Sequence, residues 1–170
     1  RAATDEEWSA VLLPAVLKAL KRTPDAAVAS LLALLDSLPG SLTLDASMPG
    51  LAEALQPVLL SPTALRSATA AKVYGALGAR CSPAGVQKAA ALLGAWKPAL
   101  LSASLARSGY AVALSELAPH ARPGAAEDAK GNKEITALLD ALIALAGKES
   151  HEGTRAQLLA AVGAWLPLAL

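Results

Sequence analysis

Leucine and alanine recur every three or four residues along this chain, and charged residues fall on the opposite face. In the first such segment, Asp5–Arg22, the apolar stripe consists of Trp8, Leu12, Val16 and Leu20. This spacing follows the 3.6-residue period of an α-helix, whereas the strict alternation that is typical of a strand is missing. The pattern therefore predicts an all-α fold.

Helix starts are marked by hydroxyl residues followed by proline or by glutamate. Thr23-Pro24, Ser61-Pro62 and Ser82-Pro83 each predict an N-cap followed by proline at the first helical position. A capping hydroxyl accepts a free backbone N–H, and proline loses nothing there because that N–H has no partner within the helix. At the start of the first helix, Thr4 and Glu7 have the spacing of a capping box, in which each side chain bonds the other's backbone.

These marks divide the chain into eight predicted helices. We expect a linker at Ser41–Asp45 and one extended loop at Pro119–Asn132, where proline, glycine and charged residues cluster. The helices are expected at about Asp5–Arg22, Pro24–Leu38, Ser47–Leu60, Pro62–Arg80, Pro83–Trp96, Leu101–Leu117, Lys133–Ala146 and, after Gly153, around residues 158–166.

Consecutive helices are expected to pair as hairpins that begin near residues 5, 48, 83 and 133. The spacing centres on about 40 residues, which is typical of HEAT and armadillo repeats. We therefore expect an α-solenoid of about four hairpins that forms a single segment over residues 1–170. A compact bundle of eight helices is the alternative.

Composition narrows the classes of protein further. Hydrophobic residues make up 54% of the chain, but charged residues or Pro167 interrupt every apolar run before the 18 or so residues that a membrane span needs. The net charge of +1 provides no overall attraction for nucleic acid. A single cysteine, Cys81, excludes an internal disulfide and suggests a reducing, cytoplasmic location. Since the chain lacks an initial Met and ends in an apolar helix, we expect an excerpt of a longer solenoid.

Residues that could support catalysis are few and scattered. The histidines, His120 and His151, lie in predicted loops, and no zinc-ligand spacing or phosphate-binding loop is present. We therefore expect no enzyme activity, no cofactor, no metal and no small-molecule ligand. An enzyme that uses Cys81 as nucleophile and His151 as base is the alternative, although no local motif supports it.

Three cations near the end of the first predicted helix form the candidate binding site. Lys18, Lys21 and Arg22 share one face of that helix, opposite the leucine stripe, and are expected to be exposed together. One interpretation is a contact with ribosomal RNA or another acidic surface. The other is structural, because cations at a helix C-terminus compensate its dipole.

Four collinear segments of the chain carry a family resemblance: Leu13–Asp25 (LPAVLKALKRTPD), Ser41–Asp45 (SLTLD), Arg107–Leu117 (RSGYAVALSEL) and Glu152–Trp165 (EGTRAQLLAAVGAW). They resemble the giant HEAT-repeat activator of the general amino-acid control kinase, the kinase that phosphorylates initiation factor two alpha. Two departures stand out: Ala46 replaces the family's usual leucine, and Ala95–Pro98 stands where the family has a Gly-Ser-Glu-Gly-Lys/Arg-Leu-like loop.

The resemblance implies a part in translational control. Members of this family bind translating or collided ribosomes, work with an ATPase partner that carries ABC cassettes, and convey an amino-acid starvation or stalling signal to the kinase. Kinase binding belongs to the family's C-terminal region, so the resemblance implies a scaffold with a ribosome contact for this segment. The alternative is a generic HEAT or armadillo protein-interaction adaptor without a link to the ribosome.

Overall fold

A computed structural model describes residues 4–96, 103–121 and 129–169. In these three ranges the chain forms eight helices and no strand, which confirms the all-α prediction. The first helix, α1, joins Asp5–Glu7, a π-helical stretch Trp8–Leu12 and Leu13–Arg22. The others are α2 (Pro24–Ser37), α3 (Met48–Leu59), α4 (Ala64–Gly78), α5 (Pro83–Gly94), α6 (Ser104–Leu117), α7 (Ala129–Lys148) and α8 (Glu152–Ala169), with a 3₁₀ turn at Ala118–His120.

Two of the predicted helix caps form as expected. The Glu7 backbone N–H donates to the Thr4 hydroxyl at 3.2 Å, and the Thr4 N–H donates to the Glu7 carboxylate at 3.0 Å, which completes the capping box of α1. At α5, the Ser82 hydroxyl accepts the Gly85 N–H at 3.1 Å. These bonds satisfy N–H groups that have no partner inside the helix.

Of the other two predicted caps, the one at Ser61-Pro62 is wrong, and the one at Thr23-Pro24 is confirmed in position but lacks the capping bond. The Ser61 hydroxyl accepts the Thr63 N–H at 3.2 Å, and this local turn delays the start of α4 to Ala64, with Thr63 at the N-cap. Thr23 is the N-cap of α2 and Pro24 is its first residue, as predicted, but the Thr23 side chain makes no capping bond. Its hydroxyl points back to the Ala19 carbonyl at 3.5 Å.

Helix α7 is longer than predicted. It begins at Ala129, so the last four residues of the predicted Pro119–Asn132 loop are helical. The Gly131-Asn132 pair does not break the helix, because a single glycine costs only about 1 kcal/mol, less than the packing of the apolar stripe beginning at Ile135 contributes. Residues 122–128 of the predicted loop and residues 101–102 of the predicted sixth helix lie outside the described ranges.

The helices pack in two interleaved series. In one series, α1 contacts α3, α3 contacts α5, and α5 contacts α7. In the other, the contacts are more extensive: α2 contacts α4, α4 contacts α6, and α6 contacts α8. Every extensive contact joins helices at most three positions apart in the chain. The apolar core lies between the series and runs from α1 to α8. Its largest buried side chains include Trp8, Leu31, Leu55, Tyr74, Leu77 and Trp165.

Helices α4 and α6 approach each other closely at Gly109. A Cβ atom at Gly109 would lie 1.9 Å from the Ser67 hydroxyl and 2.4 Å from the Leu59 carbonyl oxygen. Ser67 donates to that same carbonyl at 2.8 Å. Only glycine permits this distance, because any side chain would collide with backbone.

The π-helical stretch in α1 is anchored by its first residue. Trp8 is buried, and its indole N–H donates to the Ser47 hydroxyl at 2.9 Å. In a π turn the backbone hydrogen bond spans five residues instead of four, so the turn contains one more residue than a turn of regular α-helix. No helix in the described part of the chain has both the length and the hydrophobicity that a bilayer crossing requires.

Candidate binding surface

The basic surface consists of Lys18, Lys21 and Arg22 on the last two turns of α1. All three side chains are exposed, as expected for residues separated by three and four positions on one helix face. The opposite face of the helix is fixed by Leu20, which is buried in the core. The structure therefore brings the three cations together, and their part in binding stays a prediction.

Few negative charges compete for this surface. Among the described residues, no carboxylate forms an ion pair with any of the three cations. A fourth cation, Arg66 on α4, pairs with Asp25 at the start of α2 at 2.5 Å, and both side chains are about half exposed (50% and 53%). The pair neutralises Arg66, so the basic surface keeps three positive charges.

A cleft of about 640 Å³ borders the basic surface, where α1 and α2 meet α3 and α4. Its walls are mainly apolar, and charged side chains of both signs lie among them. Such a combination suits a protein side chain better than a phosphate backbone, which needs cations alone. The apolar lining includes Leu17, Leu20, Pro24, Ala54, Pro57 and Val58; the charged lining is Lys21, Asp25, Glu53 and Arg66.

Cys81 lies in the turn between α4 and α5 and is partly exposed. Burial, together with the negative charge and the hydrogen bond of Asp45, raises the pKa of its thiol to about 12. The thiol is therefore protonated at neutral pH and is a poor nucleophile. The proposed base, His151, bonds Thr154 at the start of α8, whereas a different imidazole, His120, lines the same depression as Cys81. No sequence signal indicated this neighbour, 39 residues further along the chain.

The described residues contain no group of three or more His, Cys, Asp or Glu side chains placed to hold a metal ion. The polar side chains that do come together, such as Arg107 and Glu149, form hydrogen bonds with one another.

A buried ion pair, which the sequence analysis did not single out, joins α6 to the turn between α7 and α8. Arg107 donates from Nε to the Glu149 carboxylate, whose side chain has no exposed surface. Mainly because of the hydrogen bond from Arg107, the pKa of Glu149 falls to about 2, and the His151 N–H, which donates at 2.8 Å, adds to this. Beside the pair, the hydroxyls of Ser104 and Thr154 lie 2.9 Å apart. These bonds position the last hairpin against α6.

Comparison with known proteins gives one family. Residues 1–94 match the family described as the stalled ribosome sensor GCN1, N-terminal. The matched range includes α1 to α5 and so the entire basic surface. No curated protein and no solved structure matches the chain significantly. The match confirms the family that the sequence resemblance predicted: this chain belongs to the family of N-terminal regions of the stalled-ribosome sensor GCN1.

Proposed function

We propose that this chain is a non-catalytic scaffold within a cytoplasmic, ribosome-binding regulator of translation. The observation that carries the proposal is the family match over residues 1–94, since that family is described as a stalled-ribosome sensor. The wider role proposed is activation of the initiation factor two alpha kinase on amino-acid starvation or ribosome stalling, with an ABC-cassette ATPase as partner. This wider role rests on the resemblance of the four sequence segments.

We infer further that the eight helices form an α-solenoid of four HEAT-like hairpins. The support is that successive odd-numbered helices contact one another, as do successive even-numbered ones. In a compact bundle, by contrast, the first and last helices would share one centre. Three steps of about 8–10 Å between neighbouring helices would place α2 and α8 about 25–30 Å apart.

Spin labels can measure that distance. Ala29 on α2 and Ala160 on α8 are exposed and can be changed to cysteine in a Cys81→Ala background. We expect an electron–electron distance near 25–30 Å, extended by the label arms. The matched control pair, Ala29 with the exposed Ala68 on α4, spans one step and should give a distance of about 10 Å before the arms are added. Equal distances for the two pairs would contradict the solenoid.

We propose that residues 1–170 form one segment of a longer array. On the last hairpin, Ile143, Leu159 and Leu166 are about half exposed (54%, 54% and 47%). A further hairpin packed against these three side chains would bury them, as α8 buries the apolar side chains of α6.

The basic surface is proposed to touch an acidic part of the ribosome, such as ribosomal RNA. Its support is the exposure of Lys18, Lys21 and Arg22, the lack of a described carboxylate partner, and its place within the family match. Three phosphate contacts give modest affinity that weakens with salt, so this surface would be one contact among several on the parent protein.

Charge reversal tests the contact directly. In the triple variant Lys18→Glu, Lys21→Glu, Arg22→Glu, we expect co-sedimentation with ribosomes to be lost at moderate salt. The matched control reverses three exposed cations elsewhere, Lys88, Lys133 and Arg155, with the same change in net charge, and should leave sedimentation unchanged. Unchanged sedimentation of the first variant would leave only the structural role, compensation of the α1 dipole.

The mixed lining of the cleft favours a second candidate function, a protein-interaction adaptor without a link to the ribosome. Affinity capture with the chain as bait separates the two. Ribosomal proteins that are lost with the charge-reversal variant support the first function. Partners that persist in that variant but are lost when Ala54 in the cleft is changed to Trp support the second.

A further inference from the structure

The three Ser/Thr-Pro pairs of the chain differ in what the hydroxyl does. Ser61 is buried, and its hydroxyl accepts the Thr63 N–H. The Ser82 hydroxyl donates to Asp45 at 2.6 Å while it accepts the N–H that caps α5. Both hydroxyls are therefore occupied by bonds that hold the fold.

Thr23 is different, because its side chain is exposed and supports no helix cap. Among the described residues, its hydroxyl bonds only the Ala19 carbonyl, at the long distance of 3.5 Å. Thr23 is also the single residue between α1 and α2, and two cations, Lys21 and Arg22, precede it directly. Proline-directed Ser/Thr kinases recognise a hydroxyl residue followed by proline, which is the arrangement of Thr23-Pro24.

A kinase binds its substrate segment in an extended form, so the turn must open first. Around Thr23 this costs little, because Lys21, Arg22, Asp25 and Ala26 are all exposed. Opening breaks end-of-helix bonds such as the one from the Thr23 N–H to Ala19, which fray readily. Over the same span around Ser82, from two residues before it to three after it, opening would expose the buried Gly85 and break the bonds from Ser82 to Asp45.

We propose that Thr23 is a phosphorylation site for a proline-directed Ser/Thr kinase, and that its phosphate masks the basic surface. In the transfer, the Thr23 hydroxyl oxygen bonds the γ-phosphorus of ATP, the bond from that phosphorus to the bridging oxygen breaks, and ADP leaves. The hydroxyl proton passes to a carboxylate of the kinase. Masking would regulate the ribosome contact proposed above, and it therefore rests on that proposed function.

The added charge acts on the nearest cations. A phosphate brings about −1.5 to −2 charges at neutral pH and strong acceptor oxygens, and Lys21 and Arg22 are within one or two residues of it. It offsets most of the three positive charges of the surface. Because each lost phosphate contact removes about 0.7–0.9 from the salt-dependence slope, we expect ribosome affinity to fall about tenfold or more and the slope to become shallower by about 1–2.

The modification is tested on the 170-residue chain with ATP and a purified cyclin-dependent or mitogen-activated kinase. We expect one phosphate, located on Thr23 by mass spectrometry, which is lost in Thr23→Ala and kept in Thr23→Ser. Circular dichroism checks that the variants stay folded. Transfer to Ser61 or Ser82 instead, or no phosphate on Thr23 with either kinase, would overturn the site.

The masking has its own readout. In phosphorus NMR, the second pKa of the phosphothreonine should lie below that in the variant Lys21→Gln, Arg22→Gln, because the cations stabilise the dianion. Equal values in the two proteins would overturn the masking. Ribosome co-sedimentation of the phosphorylated and unmodified chains then reports on function. If the unmodified chain fails to sediment, the proposed ribosome contact is wrong, while mass spectrometry and NMR still decide the modification site and the pairing.

Discussion

The turns of the first and last hairpins carry similar residue types but differ in how these residues are held. Between α1 and α2, the charged side chains and Thr23 face solvent, and the nearest ion pair, Asp25–Arg66, is half exposed. Between α7 and α8, Glu149 is fully covered and bonded by Arg107. Exposure therefore separates charges that are available to a partner from charges that hold helices together.

The largest expected effect is in the last hairpin. Arg107→Met should lower the free energy of unfolding by about 3 kcal/mol, since it leaves the Glu149 carboxylate buried without its main partner. Urea unfolding followed by circular dichroism measures the change. Lys18→Met, on the exposed face of α1, is the control and should stay within about 0.5 kcal/mol. Similar losses for both variants would contradict the contrast between the two turns.

Low pH should destabilise the same hairpin. The pKa of Glu149 lies below its ordinary value in the folded chain, at about 2, so the unfolded chain binds its proton more readily. The stabilising contribution is therefore complete above about pH 4.5 and is lost as pH falls towards 2. Unfolding measured between pH 6 and 2 should show a weaker decline in Glu149→Gln than in the parent chain. The same decline in both would show that this carboxyl does not carry the effect.

Removal of one hydroxyl sharpens the comparison. Thr154 is buried and bonded to Ser104 and His151, so Thr154→Ala should cost about 1–2 kcal/mol. Thr23→Ala removes a hydroxyl that caps nothing and should cost only a few tenths of a kcal/mol. Thermal unfolding of the two variants side by side measures the difference. A larger loss from Thr23 would mean that its hydroxyl does cap α2.

The smallest effect is expected at the exposed ion pair. Arg66→Met should change stability by less than about 1 kcal/mol, because half-exposed charges gain little from pairing in water. The loss should shrink further in high salt, which screens such a pair. A loss as large as that of Arg107→Met would remove the distinction between the two pairs.

The sequence predicts what depends on spacing along a single helix. The stripe from Trp8 to Leu20 placed α1, and the same period placed Lys18, Lys21 and Arg22 on one exposed face. The caps were harder to predict, because Ser61 and Ser82 are both followed by proline. What distinguishes Ser82 is the hydrogen bond from its hydroxyl to Asp45, 37 residues away in the sequence. The Arg107–Glu149 pair, 42 residues apart, depends on how α6 meets the last hairpin, which no local pattern encodes.

The π-helical stretch at Trp8–Leu12 has a consequence for the direction in which the basic surface points. The hydrogen bond from Trp8 to Ser47 fixes the rotation of the start of α1 about the helix axis. The extra residue in the π turn offsets everything after it by about 100° relative to a regular helix. The additional residue in this π turn therefore sets the direction in which Lys18, Lys21 and Arg22 point from α1.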